Sequence, residues 1–460
     1  MGSAGLMKAR DKMAAAGVDE VAIETFAHYY RLLEHGETGM IPESTIDPVD
    51  MESLADVEVS DEDAAAAIRS TAVIKLNGGL GTSMGMDRAK SLLCVRRGLS
   101  FLDIIARQVL HLRTQYDATL PIIFMNSFRT SADTSAALAR YEDLPVEGLP
   151  LEFLQNREPK LLTKDLSPVS WPKDPDLEWC PPGHGDIYTA LRGTGLLDRL
   201  IEAGYERVFV SNSDNLGAVP DPRLAGWFAT SGAPFAIEAV RRTPSDRKGG
   251  HFARRRTDGR IVLRETAQTP DADQAALADL ERHRYCSTNN IWFDLAAMKH
   301  ALDVRQGILG LPLIRNVKNV DPGDKSSPEV VQVETAMGAA VEVFEASRLI
   351  EVGRDRFVPV KTTNDLLVLR SDVYDIGQDF VLDQAAVEVP FVDLDSDYYK
   401  LVGDFDKRFP DGAPSLRKAS SFKVSGDWTF GHGVQVVGDV DLQARAAQRV
   451  AGDTVLSSDG

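Results

Sequence analysis

Apolar and polar positions along this chain follow a helical period at the start, then alternate between short apolar runs and longer amphipathic ones. Val21, Phe26, Tyr30 and Leu33 fall near one face of a helical segment reaching to about residue 37. Gly36, Gly39, Pro42 and Pro48 end it in a loop. The segment reads as a helix packed across a larger domain. A second helical segment, residues 61–70, leads into the apolar run Val73, Ile74 and Leu76, which reads as a strand buried on both faces. Beyond it, predicted helices at residues 101–116, 131–141 and 185–203 alternate with predicted strands at 121–125, 151–154 and 207–211. This alternation predicts an α/β domain built on a mostly parallel sheet with helices on both faces. Ligands of such sheets bind beyond the carboxyl ends of the strands. Asn77, Asn126 with Ser127, Gln155, and Asn212 with Asp214 each follow a predicted strand on that rim.

Two later blocks have a different texture. Residues 235–265 alternate apolar and polar side chains around Lys248-Gly249-Gly250 and Asp258-Gly259, which predicts antiparallel strands with turns. Residues 268–284 are polar and predict a loop with a short helix; 286–293 read as another strand, and 366–375 as a helix. Past residue 375, Phe422, Val424, Trp428, Phe430, Val434, Val436 and Val440 form short runs broken by Gly426, Gly431, Gly433 and Gly438. That is the pattern of a small sandwich or of β-helix coils.

Composition narrows the function. At 460 residues, two or three domains are expected. No apolar run of ~18 residues is present and the N-terminus lacks a signal-peptide pattern, so no membrane association is expected. Cys94, Cys180 and Cys286 are widely spaced without a metal-ligand pattern, which fits a cytoplasmic protein. The net charge of −18 disfavours nucleic-acid binding. A phosphate-rich ligand therefore requires a few specific lysines.

Candidate chemistry begins with Leu76-Asn77-Gly78-Gly79-Leu80-Gly81. The glycines admit close backbone approach, and consecutive N–H groups in such a turn make a phosphate cradle. The third glycine of a dinucleotide fingerprint and the Gly-Lys-Ser/Thr of a P-loop are both missing. Lys90 follows within reach of phosphates held there. In Pro181-Pro182-Gly183-His184-Gly185-Asp186, the glycines permit contact with a flat ligand edge, while the bland alternative has Asp186 capping the next helix and His184 filling a pocket. The amide of Gln155, at a neighbouring strand end, can both donate to and accept from a nucleobase. Asp214 is a candidate Mg²⁺ ligand, because that ion uses one or two carboxylates with phosphate oxygens and water. Asn289, Asn290 and Glu334 offer acceptors for sugar hydroxyls. Lys361 precedes a well-capped helix start, a second phosphate site.

Taken together these residues resemble the eukaryotic-type UTP–glucose-1-phosphate uridylyltransferases, or UDP-glucose pyrophosphorylases. The resemblance rests on Leu76–Thr82 with Met84-Gly85, Lys90–Leu93, Met125–Phe128, Pro181–Tyr188, Val208–Asn212 with Asp214–Gly217, Thr288–Asn290, Glu334–Met337 and Pro359–Thr363. It implies a Rossmann-like, GT-A-like nucleotidyltransferase with a mixed sheet and a C-terminal left-handed β-helix. The expected segments are 1–60 (helical), 61–375 (catalytic) and 376–460 (β-helix). It also implies UTP and glucose 1-phosphate as substrates, UDP-glucose and pyrophosphate as products, and Mg²⁺ as cofactor. The turn at residues 76–81 with Asn212 would then hold the nucleotide, Lys90 its phosphates, and Gln155 and Gly183 the uracil edge. His184, Asn289, Asn290 and Glu334 would face the sugar side, Asp214 the metal, and Lys361 the reacting phosphates. Departures are Ala89 where the family usually has proline, Arg129 for an expected Asn, and Asn156-Arg157-Glu158 beside Gln155; these bear on sugar selectivity. Ser83 favours the glucose type over relatives acting on N-acetylhexosamine phosphates. A relaxed-specificity pyrophosphorylase and a non-catalytic nucleotide-sugar sensor are the alternatives. The C-terminal β region is either a cap or a surface for a homo-oligomer.

Overall fold

The structure is a computed structural model that describes residues 4–247 and 249–458; Lys248 of the expected Lys248-Gly249-Gly250 turn lies outside the described residues. Its centre is an eight-stranded sheet in the order Glu52–Ser53, Arg348–Glu351, Phe235–Arg241, Tyr285–Asp294, Arg207–Asn212, Thr71–Asn77, Ile122–Asn126, Glu152–Leu154. The last four run parallel to one another. Tyr285–Asp294 is antiparallel to both of its neighbours, so the sheet is mixed rather than uniformly parallel.

The strands are buried on both faces, as their unbroken apolar runs predict. Successive side chains point to opposite faces. Val73, Phe124, Phe209 and Trp292 enter one apolar cluster, while Ala72, Ile74, Ile123, Val208 and Val210 enter another on the far side. Helices Phe101–Tyr116 and Thr363–Arg370 cover the first face, and Asp186–Gly193, Leu196–Glu202 and Leu295–Val304 the second.

Two expected helices are each divided. The N-terminal segment is Ala4–Ala15 followed by Glu20–Glu34, the second started by the Asp19 side chain accepting from the Val21 N–H. The predicted 185–203 helix is Asp186–Gly193 and Leu196–Glu202, with Gly195 between them at φ 69°. Leu6, Met13, Phe26 and Tyr30 of the N-terminal pair pack with Leu161. The 235–265 block supplies one central strand, then the antiparallel hairpin His251–Arg255/Ile261–Arg264. The predicted 366–375 helix is Thr363–Arg370 followed by a short strand, Tyr374–Ile376.

After residue 390 the strands Phe391–Leu394, Ser415–Ser425, Gln435–Gln443 and Val455–Ser457 stack in parallel, and Trp428–Phe430 pairs in parallel with Gln448–Val450. This parallel pairing differs from that of an antiparallel sandwich. Phe422, Phe430, Val434 and Val450 continue the same apolar cluster that lies on the first face of the main sheet.

Beneath the strand ends lies a buried charged cluster. Glu238, fully enclosed, accepts from Arg356 Nε at 2.6 Å and Nη2 at 2.8 Å, from Trp292 Nε1 at 3.0 Å and from Asn290 Nδ2 at 2.9 Å. Lys75, also enclosed, donates to Ser211 Oγ and the Ala218 carbonyl, each at 2.7 Å. Burial, helped by the Arg356 charge and opposed by Glu238, lowers the Lys75 pKa to about 7. Above that value the folded chain carries fewer protons at this site than the unfolded one. Stability is therefore expected to rise as pH climbs from 7 towards 10.5. Chemical denaturation of the wild type across that interval should show the rise, and Lys75→Met should flatten it; an equal slope in both would exclude this origin.

Candidate active site

The four parallel strands end in register: Leu76 lies beside Asn212, Asn77 beside Asn126, and Asn126 beside Leu154. Polar side chains fasten these ends together. Ser213 Oγ donates to Asn77 Oδ1 at 2.9 Å, and Asn77 Nδ2 to Asn126 Oδ1 at 2.8 Å and Thr134 Oγ1 at 2.9 Å. Asn126 Nδ2 in turn donates to Glu152 Oε2 at 2.5 Å. Asn77 and Asn126 are enclosed, so each must find partners inside the protein. Leu76, half-buried, adds its carbonyl, which accepts the Ser213 N–H at 3.0 Å. Asn212 ends its strand half-buried, and its carbonyl accepts from the Asn215 N–H at 3.3 Å.

The glycine turn rises from this platform. Gly81 takes a left-handed conformation at φ 67°, which turns the chain into the one-turn helix Thr82–Met84. A Cβ on Gly78 would stand 2.6 Å from Gln155 Oε1, so glycine there lets the Gln155 amide lie across the turn. A Cβ on Gly79 would meet open space. Together with Leu80, Thr82, Ser127 and Phe128, Gly78 and Gln155 line a cleft of about 360 Å³, within the usual range for small-molecule sites.

Lys90 lays its stem against Gly81 and its backbone N–H on the Gly79 carbonyl at 3.0 Å. Its ammonium sits 2.6 Å from Asp214 Oδ2 and also donates to the Val360 carbonyl. The Asp214 loop and the segment before Lys361 are zipped together: Val360 N–H donates to the Asp214 carbonyl at 3.1 Å, and Asn215 forms a bridge with Pro359. The Asn215 side chain accepts the Val358 N–H at 2.9 Å and donates to the Arg356 carbonyl at 3.1 Å. Arg356 is in turn held by Glu238. Lys361 itself is exposed; its N–H and that of Thr362 both donate to Asp365 Oδ2 at 2.8 Å, closing a capping box on helix Thr363–Arg370. Among the described residues the Lys361 ammonium has no ion-pair partner. Its charge reaches Glu265, whose pKa burial raises while Lys361 opposes that rise.

The second loop packs on the Glu334–Met337 segment. Gly183 has φ 78°, and a Cβ there would stand 2.5 Å from the Thr335 carbonyl, so only glycine allows this approach. Gly185 N–H donates to that carbonyl at 2.8 Å, and Thr335 N–H to the Pro182 carbonyl at 3.0 Å. His184 Nδ1 accepts the Met337 N–H at 3.0 Å, which puts the ring proton on Nε2. Burial lowers the His184 pKa to about 4, so the ring is neutral at physiological pH. Asp186 does not cap its helix; it turns back to Asn156. Glu334 is partly exposed, its Oε1 3.9 Å from Lys318 Nζ. Asn289, half-buried, takes φ 58° and donates its N–H to Ser287 Oγ at 3.1 Å. Asn290 is enclosed, with Nδ2 on Glu238.

The structure thus gathers Gly78–Gly81, Lys90, Asp214 and the backbone before Lys361 at one place, and Gly183, His184 and Glu334 at another. The Gln155–Asn156 segment touches both, reaching Gly78 on one side and Asp186 on the other. Sequence reasoning missed Asn215, Glu238, Arg356 and Lys75. Asn215 stood in a quoted motif, but its partners are more than 140 positions away.

Comparison with known proteins places this geometry. Residues 23–437 match the family described as UTP–glucose-1-phosphate uridylyltransferase. The UTP–glucose-1-phosphate uridylyltransferase of Hordeum vulgare is 37% identical over 389 residues, covering 84% of this chain and 80% of that one. That of Solanum tuberosum is 33% identical over 453 residues, covering 95% and 92%. Among solved structures, a mutant UDP-glucose pyrophosphorylase from Leishmania major in complex with UDP-glucose is 42% identical, with a TM-score of 0.93 and coverage of 100% and 99%. UDP-glucose phosphorylase from Trypanosoma brucei is 41% identical, with a TM-score of 0.89 and coverage of 99% and 100%. With the glycine turn, its lysine and the strand-end aspartate in one continuous site, and the match spanning nearly the whole chain, this protein belongs to the UTP–glucose-1-phosphate uridylyltransferase family.

Proposed function

We propose that the chain transfers a uridylyl group from UTP to α-D-glucose 1-phosphate, giving UDP-glucose and pyrophosphate. The observation that carries this reading is the junction where Lys90, Asp214 and the Val360–Lys361 segment meet beside the glycine turn. A phosphate oxygen of glucose 1-phosphate attacks the α-phosphorus of UTP. The bond from that phosphorus to the oxygen bridging to the β-phosphate breaks, and pyrophosphate leaves from the opposite side. No covalent enzyme intermediate forms. A displacement of this kind depends on alignment and on charge placed where the phosphoryl oxygens become more negative.

In this reading Gly78, Gly79 and Gly81 cradle the nucleotide, while Leu76, Asn77 and Asn212 hold the strand ends that carry them. Gln155 and Gly183 present amide and backbone groups to the uracil edge. Neutral His184 offers its Nε2–H on the sugar side and Asn289 and Glu334 face the hexose, whereas Asn290, expected beside them, is enclosed with its amide on Glu238. Lys90 exchanges its bond to Asp214 for the incoming phosphates, and Lys361 compensates charge at the reacting phosphorus.

Mg²⁺ fits the donor set. Asp214 is a single half-buried strand-end carboxylate beside the Lys90 ammonium. That matches an ion bound by one or two carboxylates and completed by phosphate oxygens and water. When bound at Asp214 it would supply charge neutralisation between the α-phosphate and the pyrophosphate oxygens. The parallel coils beyond residue 390 support a left-handed β-helix in segment 376–460, after a helical segment 1–60 and a catalytic segment 61–375. No helix among the described residues is long and apolar enough to cross a membrane, and the proposed location is the cytoplasm.

Two kinetic experiments test the assignments. Lys361→Ala should lower kcat by about 10²–10³-fold while the KM for UTP changes little; unchanged kcat would remove Lys361 from the chemistry. Because His184 titrates near pH 4, kcat/KM for UTP should show no His184 inflection between pH 5 and 8. An inflection near pH 6.5 that disappears in His184→Gln would contradict the neutral-donor role.

A further inference from the structure

The loop carrying Gln155 and the loop carrying Gly183 are joined through one side chain. Asp186 is the first residue of helix Asp186–Gly193, a place where a carboxylate commonly serves its own helix terminus. Here it points away from that task. Its Oδ2 accepts the backbone N–H of Asn156 at 2.6 Å, and its Oδ1 accepts Asn156 Nδ2 at 2.9 Å. The carboxylate is enclosed, and burial raises its pKa to about 6 against the opposing effect of the two Asn156 donors. A buried carboxylate committed to both donors of one residue fixes that residue's backbone and side chain together.

Asn156 borders a small cavity. Asn156, Glu158 and Asp186 line a cavity of about 30 Å³, closed on the far side by Phe26 and Tyr29 of the N-terminal helix Glu20–Glu34. Glu158 lies 3% exposed, and its Oε1 has no hydrogen-bond partner among the described residues. The space holds about one water, and beyond it Arg157 is held by the Ala16 carbonyl at 3.1 Å and by the Trp179 ring. Gln155 in turn is placed by its own N–H on the Asn126 carbonyl at 2.8 Å and by the absence of a Cβ on Gly78. Among the described residues Asp186 is the only carboxylate bonded to the Asn156 amides, and it sits three residues from Gly183.

Resting on the assignment of Gln155 and Gly183 to the uracil edge, we propose that Asp186 is a positioning residue for nucleobase binding. By gripping Asn156 it sets how the Gln155 amide crosses the glycine turn and locks that amide to the Gly183 loop. It touches no substrate. Its loss should therefore weaken UTP binding while leaving the transfer step and the sugar-phosphate site in place.

The test uses the full-length enzyme and measures kcat and both KM values for Asp186→Asn, for the exchange Asp186→Asn with Asn156→Asp, and for Gln155→Ala. The single change keeps an acceptor for the Asn156 backbone N–H but sets an amide nitrogen against Asn156 Nδ2 in its present orientation. The exchange restores both bonds, because the amide oxygen at 186 still accepts the backbone N–H and its nitrogen donates to the new carboxylate at 156. Asp186→Asn should raise the KM for UTP by about tenfold, with kcat and the KM for glucose 1-phosphate within about twofold, and the exchange should return most of that loss. An equal rise in both KM values, a fall in kcat alone, or no recovery in the exchange would overturn the proposal. If Gln155→Ala raises the UTP KM and Asp186→Asn does not, the positioning role fails and the uracil-edge reading stands; if neither does, both fail. Should Asp186→Asn not fold, Asn156→Ala, which removes only the side-chain donor, takes its place. A rise in the UTP KM alone then supports the proposal, and its absence overturns it.

Discussion

Buried amides cannot be left without partners, and that constraint organises the rim of this sheet. Ser213, Asn77, Asn126 and Glu152 form one continuous run of hydrogen bonds across four neighbouring strands. None of them is free to tilt without stranding a neighbour. The glycine turn, the Gln155 loop and the Asp214 loop all leave the sheet from that row. Their mutual placement is therefore inherited from the platform rather than negotiated by the loops themselves. A site that works by alignment needs that kind of base.

Charge is arranged in two tiers. The lower tier is closed: Glu238 and Arg356 neutralise each other inside the fold, and Lys75 is bound by a hydroxyl and a carbonyl. The upper tier is open to exchange: Lys90 is paired with Asp214 at the mouth, and Lys361 stands exposed one residue past the zipped segment. Asn215 connects the tiers, since it bonds the Arg356 carbonyl and the Val358 N–H while bridging Pro359. In a chain of net charge −18, the proposed reading makes these two lysines the local positive charge for a triphosphate.

The sequence made the α/β alternation and the rim legible because strands buried on both faces leave unbroken apolar runs, and strand ends leave polar tails. It did not show that Tyr285–Asp294 enters the sheet antiparallel, since pairing direction is a tertiary property. The two divided helices were hidden because Gly17 and Gly195 interrupt a helical period without changing its hydrophobic face. Among site residues, the turn, Lys90, Gln155 and Asp214 were readable from position after a strand. Asn77 and Asn290 were readable as polar but not as enclosed, because burial of an amide depends on partners distant in sequence. Lys75 was hidden inside an apolar run, where a lone lysine gives no sign of the hydroxyl and carbonyl that accept it.

In the proposed reading, this junction performs uridylyl transfer to glucose 1-phosphate with a divalent ion at Asp214. Pyrophosphate release, measured with purified protein, UTP and glucose 1-phosphate in the presence of Mg²⁺ and again after chelation, tests it most directly. Stoichiometric UDP-glucose and pyrophosphate are expected with Mg²⁺, and loss of both on chelation. Absence of pyrophosphate with Mg²⁺ present, or release that chelation leaves unchanged, would contradict it.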